Sequence, residues 1–336
     1  MRELREHERV QLRSPARALR LAALGLPLAI CACIQVQLWG LPHPLEETVV
    51  HGTAGPKILL IEIDGVIAED PPERELLGPE PDNLVSRVRE ELDRAREDPQ
   101  VRALLLRIHS PGGTATASDL IYSEILRFKR ERKLPVIAQL MGIATSGGYY
   151  VAMAADLVVA HPTTVTGSIG VRFVNVSLVG LLEKLGIEDQ TLTAGAHKDA
   201  GSPLRRMTAE EREHFQSVLD DLYARFMQVV AAGRPNLPPG ELARIADGSI
   251  YSAPQALRLG LIDAIGDLED SVARARRAAG LEQARVVRYH RPREYANNLY
   301  TRAVPSAPAL RLELPGTAAL APRPGFYFLW APDLAQ

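Results

Sequence analysis

The sequence predicts an α/β domain with a mostly parallel sheet and a helical C-terminal part, preceded by one transmembrane helix. Three observations predict it. Short apolar runs suited to buried strands alternate with amphipathic stretches of about 10–15 residues at helical spacing. An uncharged apolar stretch of bilayer length stands near the N-terminus. Over 336 residues, 46% hydrophobic and 24% charged composition is enough to bury a real core.

The apolar stretch runs from Leu21 to Leu41. Residues 1–20 before it carry six arginines against three glutamates, and Glu46 and Glu47 follow it. The positive-inside rule places the N-terminus in the cytoplasm and the rest of the chain across the membrane. Two other readings stay open: a cleaved signal peptide, although no A-x-A site follows cleanly, and a lipid-modified Cys33. Residues 42–56, rich in Pro, Gly and charge, read as a linker.

Strands are expected at 58–63, 101–109, 136–140 and 157–160, with a further one at 188–193. Helices are expected at 82–96 and 116–133, with an alanine-rich one after Ser146. Thr208 and Glu211 form a capping-box pattern that opens a long helix to about Ala232. Residues 281–336 are Pro-rich and are assigned no regular fold.

Composition excludes several functions. The formal net charge is −2, from 39 basic and 41 acidic residues, which offers no clustered basic face for nucleic acid. The eight histidines form no HExxH or CxxC…H pattern, so no metal is expected, and no cofactor either. Both cysteines, Cys31 and Cys33, lie in the apolar stretch, which leaves the soluble part without a thiol nucleophile.

Two loops carry chemistry. Ser110-Pro-Gly-Gly113 follows a strand and precedes a helix, and its glycines free backbone N–H groups to face an oxyanion. By itself it reads first as a tight turn. Ser146, in Thr145-Ser-Gly-Gly-Tyr-Tyr150, sits in a second strand-to-helix turn of small residues. That turn either presents a nucleophilic hydroxyl or simply caps a helix. A serine nucleophile needs a base, and His109, His161, His197 and Lys198 are the candidates in plausible loops. A lysine serves only as the free amine, so burial must lower an ordinary lysine pKa of ~10.4 by about three units, about 4 kcal/mol. Asp199 opposes this unless its carboxylate points away from Lys198.

Six stretches in the same order resemble the signal peptide peptidase A family of bacterial serine peptidases, in its half-length form, over about residues 57–280. They are Ile63–Ile67 (IDGVI), Ser110–Gly113 (SPGG), Thr145–Ala152 (TSGGYYVA), Thr166–Val171 (TGSIGV), Gly195–Asp199 (GAHKD) with Ser202-Pro203, and Asp247-Gly248 followed by Ala256–Asp263 (ALRLGLID). The resemblance implies a ClpP/crotonase-like fold and a Ser/Lys dyad, with Ser146 as nucleophile and Lys198 as base. It further implies the Gly113 and Gly147 amides as oxyanion donors and Ser168 as the residue that orients the lysine. Thr145 departs from the pattern, standing where many members have alanine. Apolar, signal-peptide-like substrates and a ring-shaped homo-oligomer on the extracytoplasmic side of the bacterial inner membrane are also implied. Competing readings are a crotonase-type acyl-CoA enzyme, a Ser/His/Asp peptidase using His109 or His197, and a catalytically silent membrane scaffold.

Overall fold

A computed structural model describes residues 44–69, 83–292, 294–295, 298–299, 304–305 and 325–330. The expected anchor at 21–41 lies outside the described residues. Among those described, no helix is long and apolar enough to cross a membrane.

The chain opens with β1 (Glu46–His51), β2 (Lys57–Ile67), α1 (Leu84–Glu97), β3 (Val101–Thr114) and α2 (Ala115–Arg132). Next come β4 (Val136–Thr145), α3 (Gly147–Ala152), β5 (Leu157–Ala160), β6 (Val165–Gly167), β7 (Arg172–Val174) and α4 (Val179–Leu185). A helical part follows with α5 (Ala209–Gly233), α6 (Pro239–Ile245), β8 (Ile250–Ser252), α7 (Ala253–Arg258), β9 (Ala264–Ile265) and α8 (Leu268–Ala278). The last described elements are β10 (Arg285–His290), β11 (Glu294–Tyr295), β12 (Val304–Pro305) and β13 (Gly325–Leu329).

The main sheet runs β1-β10-β2-β3-β4-β5-β9, parallel throughout except for β1 on β10. Side chains alternate across it. Leu59, Ile61, Leu104 and Leu106 face α1 and α2, whereas Ile58, Leu60, Ala103 and Leu105 face Leu268, Val272 and Ala275 of α8. A strand covered on both faces needs apolar residues on both, which is why the runs Ile58–Ile61 and Ala103–Leu106 are unbroken. Helix starts follow the sequence signals. Asn83 and Thr114 accept from backbone amides of α1 and α2, and Thr208 and Glu211 form the reciprocal capping box of α5.

Strands β3 and β4 outlast the main sheet. Beyond the irregularity between Ile108 and Ser110, the end of β4 pairs in parallel with β6, and the end of β3 pairs with β13. β13 lies antiparallel between β3 and β7. This second layer collects both glycine-rich turns in one place.

Three expectations differ from the structure. Residues 46–51, read as linker, form β1, because the Thr48–Val49 stretch finds a backbone partner in β10. The tail after 281 supplies β10 and β13, so the sheet draws strands from both flanks of 57–280. No strand forms at 188–193: the segment is exposed throughout and lacks a neighbouring edge to pair with among the described residues.

Glu62 on β2 is buried between Arg107 and Arg288, bound to both guanidinium groups. Removing the carboxylate leaves two buried cations facing each other. Glu62→Ala is expected to lower unfolding free energy by about 3–5 kcal/mol in chemical denaturation. A loss under about 1 kcal/mol would mean that water already reaches the cluster.

Candidate active site

Ser146 ends β4 and caps α3 with φ 52° and ψ −114°, an unfavourable conformation for an L-residue. Two hydrogen bonds hold it there. Its amide donates to the Gly167 carbonyl at 2.8 Å, and its carbonyl accepts from the Tyr150 amide at 2.8 Å. The residue is 2% exposed. Its hydroxyl makes no hydrogen bond within the described residues, so it is available to a substrate or a base.

The SPGG segment continues β3 instead of looping away. The Ser110 hydroxyl donates to the Gly65 carbonyl at 2.6 Å and accepts from the Gly112 amide at 3.0 Å. This fixes the turn and occupies the first glycine N–H. Gly113 is packed so closely that a methyl group there would lie 1.7 Å from the Ile67 carbonyl oxygen. A methyl group on Gly147 would lie 2.4 Å from the Ser118 hydroxyl and 3.1 Å from the Gly113 nitrogen. Glycine at both positions lets the two backbones approach, and it brings the Gly113 amide beside Gly147. The Thr145 hydroxyl donates to the Pro111 carbonyl at 3.2 Å, tying the end of β4 to the SPGG strand. The extra hydroxyl at this position therefore acts as a brace.

α3 is buried throughout. Tyr149 donates to the Leu261 carbonyl at 2.7 Å, and burial pushes its phenol up to about 12. Tyr150 donates to Asp119, which also binds Arg225 at 2.8 Å, and burial first, then Asp119, raises the Tyr150 phenol. Both phenols stay protonated donors near neutral pH.

Ser168 follows Gly167 with φ 51°, its amide donating to the Ser249 carbonyl at 2.7 Å. Ser146 and Ser168 line one cavity of about 290 Å³, together with Arg172, Tyr327, Leu329 and Trp330. Among the described residues, none of its lining side chains is a histidine, carboxylate or lysine. The Nδ1 atom of His109 accepts from the Ile143 amide at 3.4 Å, and His161 lies against Thr163. His197 is exposed, 3.8 Å from Glu210.

Lys198 is exposed on the turn after Gly195 and does not line the Ser146 cavity. A single chain thus brings Ser146, Ser168, Gly113 and Gly147 together but leaves Lys198 outside. The neighbouring carboxylate is accounted for: Arg205 holds Asp199 through two bonds, of 2.7 and 2.9 Å, and also binds Glu211. Arg205 lowers the Asp199 carboxyl below the usual range, so that carboxylate is committed to a guanidinium. Arg172, Tyr327, Leu329 and Trp330 were not anticipated as site residues. The unbroken run of large apolar residues in Phe326-Tyr-Phe-Leu-Trp330 is the available signal.

A buried serine on a strained strand-to-helix turn, in a chain that packs the Gly113 amide beside Gly147, has the makings of a serine hydrolase site. Comparison with known proteins identifies the class: the profile of Peptidase family S49 matches residues 128–282. A protein of Enterococcus faecium named for signal peptide peptidase SppA is 37% identical over 244 residues, 73% of this chain and 70% of that protein. Protease 4 of Salmonella typhi is 34% identical over 60% of this chain, which spans 32% of that protein. The chloroplastic serine protease SPPA of Arabidopsis thaliana is 38% identical over 57% of this chain and 28% of its own length. A membrane-bound stomatin-specific protease solved with a substrate peptide shares 16% identity over 66% of this chain and 81% of its own, with a TM-score of 0.41. That superposition is too loose for residue-by-residue comparison. The chain belongs to Peptidase family S49 and is a serine peptidase. The acyl-CoA and silent-scaffold readings give way to this assignment.

Two outcomes are expected. Gly147→Ala should lower peptidase turnover about 10²-fold, because the added methyl displaces an amide needed beside the nucleophile. Gly240→Ala, which meets open space, should leave turnover near wild type; equal losses in both would disconnect Gly147 from catalysis. Glu211 is held at about 2, below its ordinary 4.5, first by the Arg205 hydrogen bond and then by the Thr208 amide. A depressed folded-state pKa stabilises fully above the unfolded value and is lost as pH falls through the folded one. Acid should therefore loosen the Arg205 anchor between about pH 4.5 and 2, read as faster hydrogen exchange at 199–211. In Arg205→Met that acid step should disappear.

Proposed function

We propose that this chain is a membrane-anchored endopeptidase with a Ser/Lys dyad, in which Ser146 attacks the peptide carbonyl. The observation that carries the reading is the strained Ser146 turn beside the closely spaced Gly113 and Gly147 amides. In this reading the two amides stabilise the tetrahedral oxyanion, and Lys198 takes the Ser146 proton and returns it to the departing amine. Water then cleaves the acyl-enzyme, and Ser168 positions the lysine amine. The divergence of β3 and β4 into a second layer, with paired amides at the split, supports a ClpP/crotonase-like fold.

Lys198 reaches the site from a neighbouring copy. Leu178, Leu181, Leu185 and Ile187 are exposed upstream of it, and Leu192 is 97% exposed. An apolar strip of that extent calls for a partner surface. Its placement beside the required base favours a head-to-tail ring of this chain, the base of each copy serving the next. Burial in that contact would also strip water from the amine and favour its neutral form. The substrates are apolar peptides left in or near the membrane, such as remnant signal peptides. The segment 21–41 anchors the enzyme in the bacterial inner membrane, with the peptidase domain on the extracytoplasmic side.

Ser146→Ala is expected to abolish labelling by a fluorophosphonate probe, and Lys198→Ala to abolish peptide hydrolysis. Activity should rise toward alkaline pH; a bell centred near pH 6.5 would indicate an imidazole base. Co-assembly of the two inactive variants distinguishes a shared site. Random mixing should restore about a quarter of wild-type activity, because a quarter of the junctions pair an intact serine with an intact lysine. No recovery at any mixing ratio would place both groups in one chain.

A further inference from the structure

The segment that braces Ser146 goes on to build one wall of its cavity. Gly167 accepts the Ser146 amide, and Ser168, Gly170, Val171 and Arg172 beyond it line the cavity. Arg172 opens β7, where neighbouring side chains point to opposite faces. Phe173 and its register partner Phe326 take one face, meeting at 5.0 Å, with Phe215 stacked on Phe173 at 4.5 Å. Arg172 and its register partner Tyr327 take the other, and both line the cavity. The alternation therefore directs the Arg172 side chain to the side that holds Ser146.

Among the described residues that guanidinium is unpaired. Its Nε and Nη2 atoms are closed off from water, and Arg172 makes no hydrogen bond or ion pair with a described residue. Elsewhere the chain gives its enclosed arginines carboxylates: Arg107 and Arg288 hold Glu62, Arg234 holds Asp263, and Arg205 holds Asp199 and Glu211. Apart from Arg172, the described side chains that line the cavity are neutral. Asp247, beside the lining residue Gly248, is committed to the Ser249 amide at 2.9 Å. A cation withdrawn from water without a counter-charge is unfavourable, and a carboxylate entering the cavity would relieve it.

We propose that Arg172 is a specificity-determining residue, which binds a carboxylate of the peptide held in the Ser146 cavity. This rests on the Ser146 peptidase reading. A planar guanidinium offers parallel N–H donors that match both oxygens of a carboxylate. Every linear peptide with a free C-terminus carries one such group, and for the apolar substrates proposed above it is the one anion they always have. An aspartate or glutamate side chain presents the same chemistry. Held on Arg172, the carboxylate sets where along the peptide Ser146 attacks. A terminal carboxylate makes the enzyme cut close to the free end of a fragment, whereas a side-chain carboxylate makes it cut beside an acidic residue.

The test is hydrolysis of matched internally quenched peptides by the full chain in detergent. One apolar sequence is made as the C-terminal acid and as the amide, and the amide is made again with a single Glu or Gln at each position in turn. In wild type, kcat/KM should be at least about tenfold higher for the charged member of one of these pairs. Acid over amide assigns the terminal carboxylate, and Glu over Gln assigns the side chain. In Arg172→Met that ratio should fall to near one. Arg172→Lys, which keeps the charge but loses the fork, should retain only part of it. Fluorophosphonate labelling of Ser146 identifies the variants that are folded. A wild-type enzyme that cuts every peptide with ratios near one overturns the Arg172 proposal and leaves the peptidase standing, as does a ratio that survives in both variants. Hydrolysis of none of the peptides by wild type overturns both.

Discussion

The backbone of Ser146 is held at φ 52° and ψ −114° by the Gly167 carbonyl in front and the first turn of α3 behind. Such a conformation costs about 1–3 kcal/mol and survives only where surrounding structure over-determines it. Here the β4–β6 pairing, the Thr145 brace to Pro111 and the buried tyrosines of α3 supply that surrounding. Relaxing the turn would swing the hydroxyl out of the position that the proposed mechanism needs. The close packing of Gly113 on Ile67 and of Gly147 on Ser118 serves the same end from the other strand. Much of the second layer of the fold is therefore explained by one residue's dihedral angles.

What the chain leaves open is equally physical. Among the described residues the cavity at Ser146 is lined without a general base, and the exposed stretch that carries Lys198 ends in a guanidinium anchor binding Asp199 and Glu211. That anchor draws away the one carboxylate next to Lys198 in sequence, which would otherwise favour the charged amine. A lysine beside an uncovered apolar strip is suited to being desolvated by assembly, so that association and activation become one event in the proposed ring.

The sequence was most legible where local chemistry decided the outcome. Continuous apolar runs gave β2, β3 and β5, and the Thr208–Glu211 pattern gave the start of α5, because a doubly covered strand and a capped helix each leave a mark within a few residues. Paired glycines marked the two turns whose backbones pack closely at Gly113 and Gly147. Pairings between distant segments were hidden. β1 depends on β10, some 240 positions away, and β13 on both β3 and β7; nothing near Glu46 or Gly325 encodes those partners. The Pro-rich setting of Phe326–Trp330 masked a short apolar, aromatic run suited to a strand. The opposite error arose at 188–193, where β-forming residues such as Thr191 and Thr193 have no edge to join among the described residues.

The account stands or falls on the distance between two atoms in the assembled enzyme, the Ser146 Oγ and the nearest Lys198 Nζ, read from an experimental structure of the oligomer. It predicts a separation of about 3 Å, within hydrogen-bond reach and bridging two copies. An assembled structure in which every Lys198 amine remains in solvent, with another group against Ser146, would contradict it.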